Sequence, residues 1–77
     1  MIRIRDDQHA WEVIEEYREA HYLTKDQMSE RLDISRMHYN RMNLAGAITA
    51  DRVGFLNRVS DAIGQDILID GGEDGNQ

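Results

Sequence analysis

Between Leu23 and Asn43 the chain carries two short amphipathic patterns set so close that only a corner fits between them. The first begins at Thr24 and puts Met28 and Leu32 four residues apart, predicting a helix over about Thr24–Leu32. The second begins at Ser35 and puts Tyr39 and Met42 three apart, predicting a helix over about Ser35–Asn43. Thr and Ser are favoured N-caps, because their side-chain oxygen accepts a backbone N–H that the first helical turn leaves unpaired. Only Asp33 and Ile34 separate the two patterns. That suits the sharp turn of a helix-turn-helix. Ser29 is small where a neighbouring helix must come close. Ile34 and Leu44 bracket the apolar set of the second helix, and Arg36, Met37, His38, Asn40 and Arg41 face away from it.

With 77 residues and no cysteine, the chain has room for one small core and no disulfide to support it. No apolar run is long enough for a membrane span, and the opening Met-Ile-Arg-Ile-Arg-Asp-Asp lacks the apolar run of a signal peptide. A soluble cytoplasmic protein with no membrane partner is the expectation. The net charge of −6 argues at first against nucleic acid. Its distribution changes that argument. Residues 1–23 set three arginines against six carboxylates, and residues 59–77 hold five carboxylates and no Lys or Arg. Residues 24–58 hold six basic side chains (Lys25, Arg31, Arg36, Arg41, Arg52, Arg58) against four acidic ones. The basic charge is gathered around the helix-turn-helix, which allows a local positive face on an acidic body.

The flanking elements follow from periodicity. Ile2-Arg3-Ile4-Arg5 alternates with the two-residue period of a strand. Asp6 or Asp7 caps a first helix whose stripe is Ala10, Trp11, Ile14, Tyr17 and then Ala20 or Tyr22, widened by Val13. Its other face is acidic, with Glu12, Glu15, Glu16 and Glu19, and Arg18 stands alone among them. After the second short helix, Gly46 supplies a positive φ in a small-residue connection. Thr49 is then placed to cap a fourth helix over Ala50 to Ile63, burying Val53, Leu56, Val59 and Ile63 with Phe55 and Ala62 flanking. Gly54 weakens that helix by roughly 1 kcal/mol relative to Ala unless a close contact uses it. Gly64 is a natural stop, Ile67-Leu68-Ile69 reads as a short strand, and Gly71–Gln77 has no apolar residue to order it.

No catalytic constellation has a recognisable spacing, so an enzyme is not expected and no cofactor is implied. His9, His21 and His38 are scattered, without a metal-ligand pattern. DNA reading is the sharper hypothesis. A recognition helix in the major groove offers its N-terminal residues to base edges, while the helix before it crosses the backbone. Arg36 and Arg41 suit guanine, Asn40 suits adenine, and Met37 suits a thymine methyl. Lys25 and the start of the preceding helix suit a phosphate, and His38 suits either phosphate or base.

The run from Ile14 to Ile63, about two-thirds of the chain, resembles the phage-repressor and Cro-like (Xre-type) helix-turn-helix family. Tyr17-Arg18 falls where the family has a leucine and an arginine late in helix one. Leu23-Thr24-Lys25 and Met28-Ser29 match its Leu-Ser/Thr-Gln and Leu-Ala. Asp33-Ile34-Ser35 stands for Gly-Val-Ser, Tyr39 and Met42 take core positions, and Leu56, Val59, Ile63 and Gly64 match the family's fourth helix. The resemblance implies a mainly all-α, compact, four- to five-helix lambda-repressor-like domain over 1–70, with short terminal strands and a disordered acidic tail over 71–77. It implies DNA contacts at Lys25, Ser35, Arg36, Met37, Asn40 and Arg41. Three departures stand out. Asp33 replaces the turn glycine, Ser29 replaces the small residue of helix two, and Asn43 replaces an acid that would pair with the helix-one arginine. Arg18 therefore needs another partner, with Asp26 and Glu30 as candidates. The connection after helix three is also longer than usual in the family.

The function expected is a repressor-like, Cro/C1-type transcription regulator of phage or bacterial type, bound as a homodimer to a pseudo-palindromic double-stranded DNA operator. Two half-sites are needed because one unit this small makes few base contacts. The terminal strands are candidates for pairing, within one chain or across a dimer. The rival class is a protein-binding module on the same fold, such as a phage inhibitor or antitoxin-like protein, whose acidic surface would meet a protein partner.

Overall fold

The computed structural model describes residues 1–49 and 51–69. Among them the chain is mainly helical, with four helices between two short strands: β1 (Ile2–Ile4), α1 (Asp7–Ala20), α2 (Lys25–Arg31), α3 (Arg36–Ala45), α4 (Arg52–Ile63) and β2 (Ile67–Ile69). Asp70, the 71–77 segment expected to be disordered, and Ala50 lie outside the described residues.

Each helix begins at a side chain that accepts a backbone N–H. Asp6 accepts from His9 at 2.8 Å and Ser35 from His38 at 3.0 Å. Thr24 and Gln27 form a reciprocal capping box, at 3.0 and 2.8 Å. The fourth cap corrects the sequence reading. It is Asp51 and not Thr49, and the helix starts at Arg52. The Asp51 carboxylate accepts from the Gly54 N–H at 3.1 Å, and a Cβ at residue 54 would overlap that carboxyl. Gly54 is the space the cap occupies, so the helix gains a cap where the glycine costs propensity.

The helix ends are equally specified. The N–H of Leu23 bonds the Arg18 carbonyl and that of Ile34 the Ser29 carbonyl, while Ala47 bonds Met42 and Gln65 bonds Ser60. These closures pass through a left-handed residue. At Gly46 (φ 64°) and Gly64 (φ 71°) it is glycine, as the sequence predicts. At Asp33 (φ 58°) it is an acid, and at Tyr22 (φ 56°) it is an aromatic. Asp adopts this region more readily than most residues; a bulky side chain there is strained. Tyr22 is 93% exposed and Ala20 is exposed too, so the apolar stripe of α1 stops at Tyr17, which stacks on His21 at a centroid distance of 4.0 Å.

The core joins Trp11 and Ile14 of α1, Met28 and Leu32 of α2 and its end, Tyr39 and Met42 of α3, and Phe55, Val59 and Ile63 of α4. Trp11 is central. Its ring meets Tyr39 edge-on at 5.0 Å and Phe55 at 5.7 Å, and its Nε1–H donates to the Ala47 carbonyl at 2.9 Å. The buried face of α4 differs from the one expected: Phe55 is inside and Val53 is 65% exposed. With helix-period geometry, Phe55, Leu56, Val59 and Ile63 centre the buried arc, and Val53 falls roughly 100° away from that centre. Ser29 is buried, and its hydroxyl donates to the Asp26 carbonyl of its own helix at 2.9 Å.

The strands pair with each other in one chain, parallel, with Ile2 opposite Ile67 and Ile4 opposite Ile69. A parallel pair needs a long crossover, which here is the whole helical body. Ile4 is fully buried beside Ala10 and Leu56, so the sheet seals α1 against α4. Asp7 adds a polar tie at the same end. Its carboxylate takes Arg52 Nε at 2.8 Å and the Ile48 N–H at 3.2 Å.

Candidate nucleic-acid interface

Helix α3 is divided lengthwise. Tyr39 and Met42 are buried, whereas Arg36, Met37, Asn40, Arg41 and Leu44 are exposed. These five positions run i, i+1, i+4, i+5, i+8 and occupy an arc of about 140° on the outward side. Ser35 caps the helix and is exposed at its start. Of the seven residues expected to meet DNA, Ser35, Arg36, Met37, Asn40 and Arg41 therefore share one continuous surface. Lys25, half-buried at the start of α2, borders it across a depression of about 450 Å³ lined with Arg36, Asn40, Asn43 and Leu44. His38 departs from the expectation. It is half-buried on the flank of α3, with Nε2 3.4 Å from the Thr49 hydroxyl.

Leu44 is the residue the sequence reading missed. It was expected to bracket the core and is instead 93% exposed, because α3 continues to Ala45 and carries it outward. Its spacing supplies the signal: residue 44 follows 37 by two turns and 40 by one. Asn43 and Leu44 also line a second depression of about 420 Å³ that includes Glu12 and Glu15. The end of α3 thus borders both a basic hollow and an acidic one.

The charges are not equally available. Arg36 Nη1 lies 2.8 Å from Asp26 Oδ1. Arg58 Nε donates to the Leu32 carbonyl at 2.9 Å, with its guanidinium 5.9 Å from the Phe55 ring centre, and Arg52 is held by Asp7. Among the described residues Lys25, Arg31 and Arg41 have no carboxylate within salt-bridge distance. Arg41 is thus the exposed guanidinium of α3 that no ion pair holds.

Behind this face a polar network fixes how α3 sits. Arg18 Nη2 and Nε donate to both carboxylate oxygens of Glu15, at 2.9 and 3.1 Å, and Arg18 Nη1 donates to the Leu23 carbonyl at 2.9 Å. The Tyr39 hydroxyl donates to the same Glu15 carboxylate. Arg18 therefore pairs within its own helix, and neither Asp26 nor Glu30 is its partner. Burial pushes the Glu15 carboxyl up, but hydrogen bonds from Arg18 and Tyr39 and the charges of Arg18 and Lys25 bring it below the ordinary value. Burial and the Glu15 hydrogen bond push the Tyr39 hydroxyl well above its ordinary value. Hydrogen bonding to Glu15 likewise raises Arg18. At neutral pH the network is one carboxylate, one guanidinium and one neutral phenol, joining α1, the α1–α2 corner and α3.

Comparisons with models of protein families, with curated proteins and with solved structures find no match.

The chemistry of the face rests on its own residues. Guanidinium, amide and thioether side chains project from one rigid helix, in a mixture that suits hydrogen-bonding base edges and apolar methyl groups. Among the described residues no three His, Cys, Asp or Glu side chains gather to hold a metal ion, and no helix is long and apolar enough to cross a membrane.

Proposed function

We propose that this protein is a sequence-specific double-stranded DNA-binding regulator, repressor-like, that lays α3 in the major groove. The observation that carries the reading is the shared outward surface of Arg36, Met37, Asn40 and Arg41, on a helix anchored by Tyr39 and Met42. Arg41 and Asn40 read base edges. Lys25, at the start of α2, meets a backbone phosphate. Arg36 either leaves Asp26 for a base or is oriented by it. The chain works as a homodimer on two half-sites, of the Cro/C1 type known from phage and bacterial regulators, because one such helix supplies few base contacts.

A second reading, a module that binds a protein partner, draws support from the ion pair that engages Arg36 and from the exposed Met37 and Leu44 on the same face. Selection of bound duplexes from a random library separates the two. A DNA reader enriches a paired motif and loses affinity steeply as salt rises. A protein-binding module enriches no sequence and binds no duplex at low salt.

A further inference from the structure

We propose that Leu44 is a specificity-determining residue which, together with Met37, reads two thymine methyl groups in each half-site. The inference rests on the DNA-binding reading and extends it to a residue beyond the expected contact set. Leu44 is 93% exposed and Met37 68% exposed. Single exposed apolar side chains are ordinary on a protein surface. These two are not scattered: seven residues apart, they fall on nearly the same line of α3, with Asn40 and Arg41 between them.

Seven residues at helical rise place their Cα atoms roughly 10 Å apart along the axis. Base pairs rise about 3.4 Å each, so a helix lying lengthwise in the major groove sets the two side chains two to three base-pair steps apart. The thymine C5-methyl is the apolar group that the major groove offers, and hydrogen-bond donors and acceptors surround it. An apolar–polar–apolar line on the protein complements that arrangement. The basic hollow lined by Lys25 and Arg36 adjoins Leu44 on one side, where a phosphate strand would run.

The test uses the full chain and a duplex taken from library selection. Each thymine is replaced singly by deoxyuridine, which removes only the methyl group, and binding is followed by fluorescence anisotropy. Two positions per half-site, two to three steps apart, should each weaken binding about fourfold on losing the methyl, the worth of burying one such group. Leu44→Ala should abolish the methyl effect at one position and Met37→Ala at the other, while Leu44→Met should retain it. Circular dichroism and thermal melting check that the variants fold. A duplex that binds with no thymine sensitivity, or a Leu44→Ala protein that keeps the full methyl effect, overturns this proposal and leaves DNA binding intact. Absence of binding to any duplex overturns both.

Discussion

The two faces of α3 are built on opposite principles. The inner face spends its residues on fixing position: Tyr39 fills the core against Trp11, Met42 is buried beside it, and the Tyr39 hydroxyl meets the Glu15–Arg18 pair. The outer face carries Met37, Asn40, Arg41 and Leu44, which are exposed and make no side-chain hydrogen bond or ion pair among the described residues. The contrast separates side chains that hold the helix in place from side chains left free for the proposed recognition. Substitutions should separate them in the same way.

The largest effect belongs to the inner face. Met42→Ala should cost about 2–5 kcal/mol of folding stability by opening a cavity in a fully packed site, measured by urea denaturation. A loss under about 1 kcal/mol would mean that the inner face does not anchor the helix.

Next comes the network. Tyr39→Phe keeps the ring and removes only the hydroxyl that Glu15 accepts, and should cost about 1.5–3 kcal/mol at neutral pH. The sign of its pH dependence follows from the two shifts. Glu15 is lowered in the folded state, so its contribution is complete above the unfolded carboxylate value of about 4.3 and disappears as pH falls through the folded one. Tyr39 is raised, so its contribution is complete below the unfolded value of about 10 and is lost as pH rises beyond it. The gap between the wild type and Tyr39→Phe should therefore be widest near neutrality and close on both sides, seen in denaturation midpoints across pH. A pH-independent gap would mean that the hydroxyl acts only through packing.

Smaller still is the effect at the corners, which belong to neither face. Tyr22→Gly should stabilise the fold by about 1 kcal/mol, since it relieves a left-handed aromatic whose side chain is 93% exposed. Asp33→Gly should give less, because Asp tolerates that region better. Destabilisation by Tyr22→Gly, read from thermal melts, would show that the tyrosine is held there by contacts worth more than its strain.

Much of this was legible in the chain because it is local. The Thr24 and Ser35 caps and the glycines at 46 and 64 each announce themselves through neighbours a few residues away. So do the inner positions of α1 and α3, through period alone. What escaped depends on distant partners or on a small shift in helix start. The fourth cap falls at Asp51, two residues past Thr49, and packing against α1 turns Phe55 inward and leaves Val53 exposed. Glu15 looks like any of the four acids of α1 until Tyr39, 24 residues on, comes to rest against it. Asp7 and Arg52 meet across 45 residues, which no pattern within α1 or α4 signals. At the candidate interface the outward residues were legible from spacing. The engagement of Arg36 by Asp26 required the helices to be set against each other, whereas Leu44 was missed because the helix was ended at Asn43.

The claim that the outer face of α3 reads DNA is tested most directly by titrating a selected duplex with the wild type, Arg36→Ala and Arg41→Ala, with melting curves taken in parallel. Each substitution should weaken specific binding by about 1–3 kcal/mol, with Arg41 felt at least as strongly because among the described residues no ion pair holds it. Arg41→Ala should leave folding stability within about 0.5 kcal/mol. Unchanged operator affinity in both variants would contradict the assignment of α3 as the recognition helix.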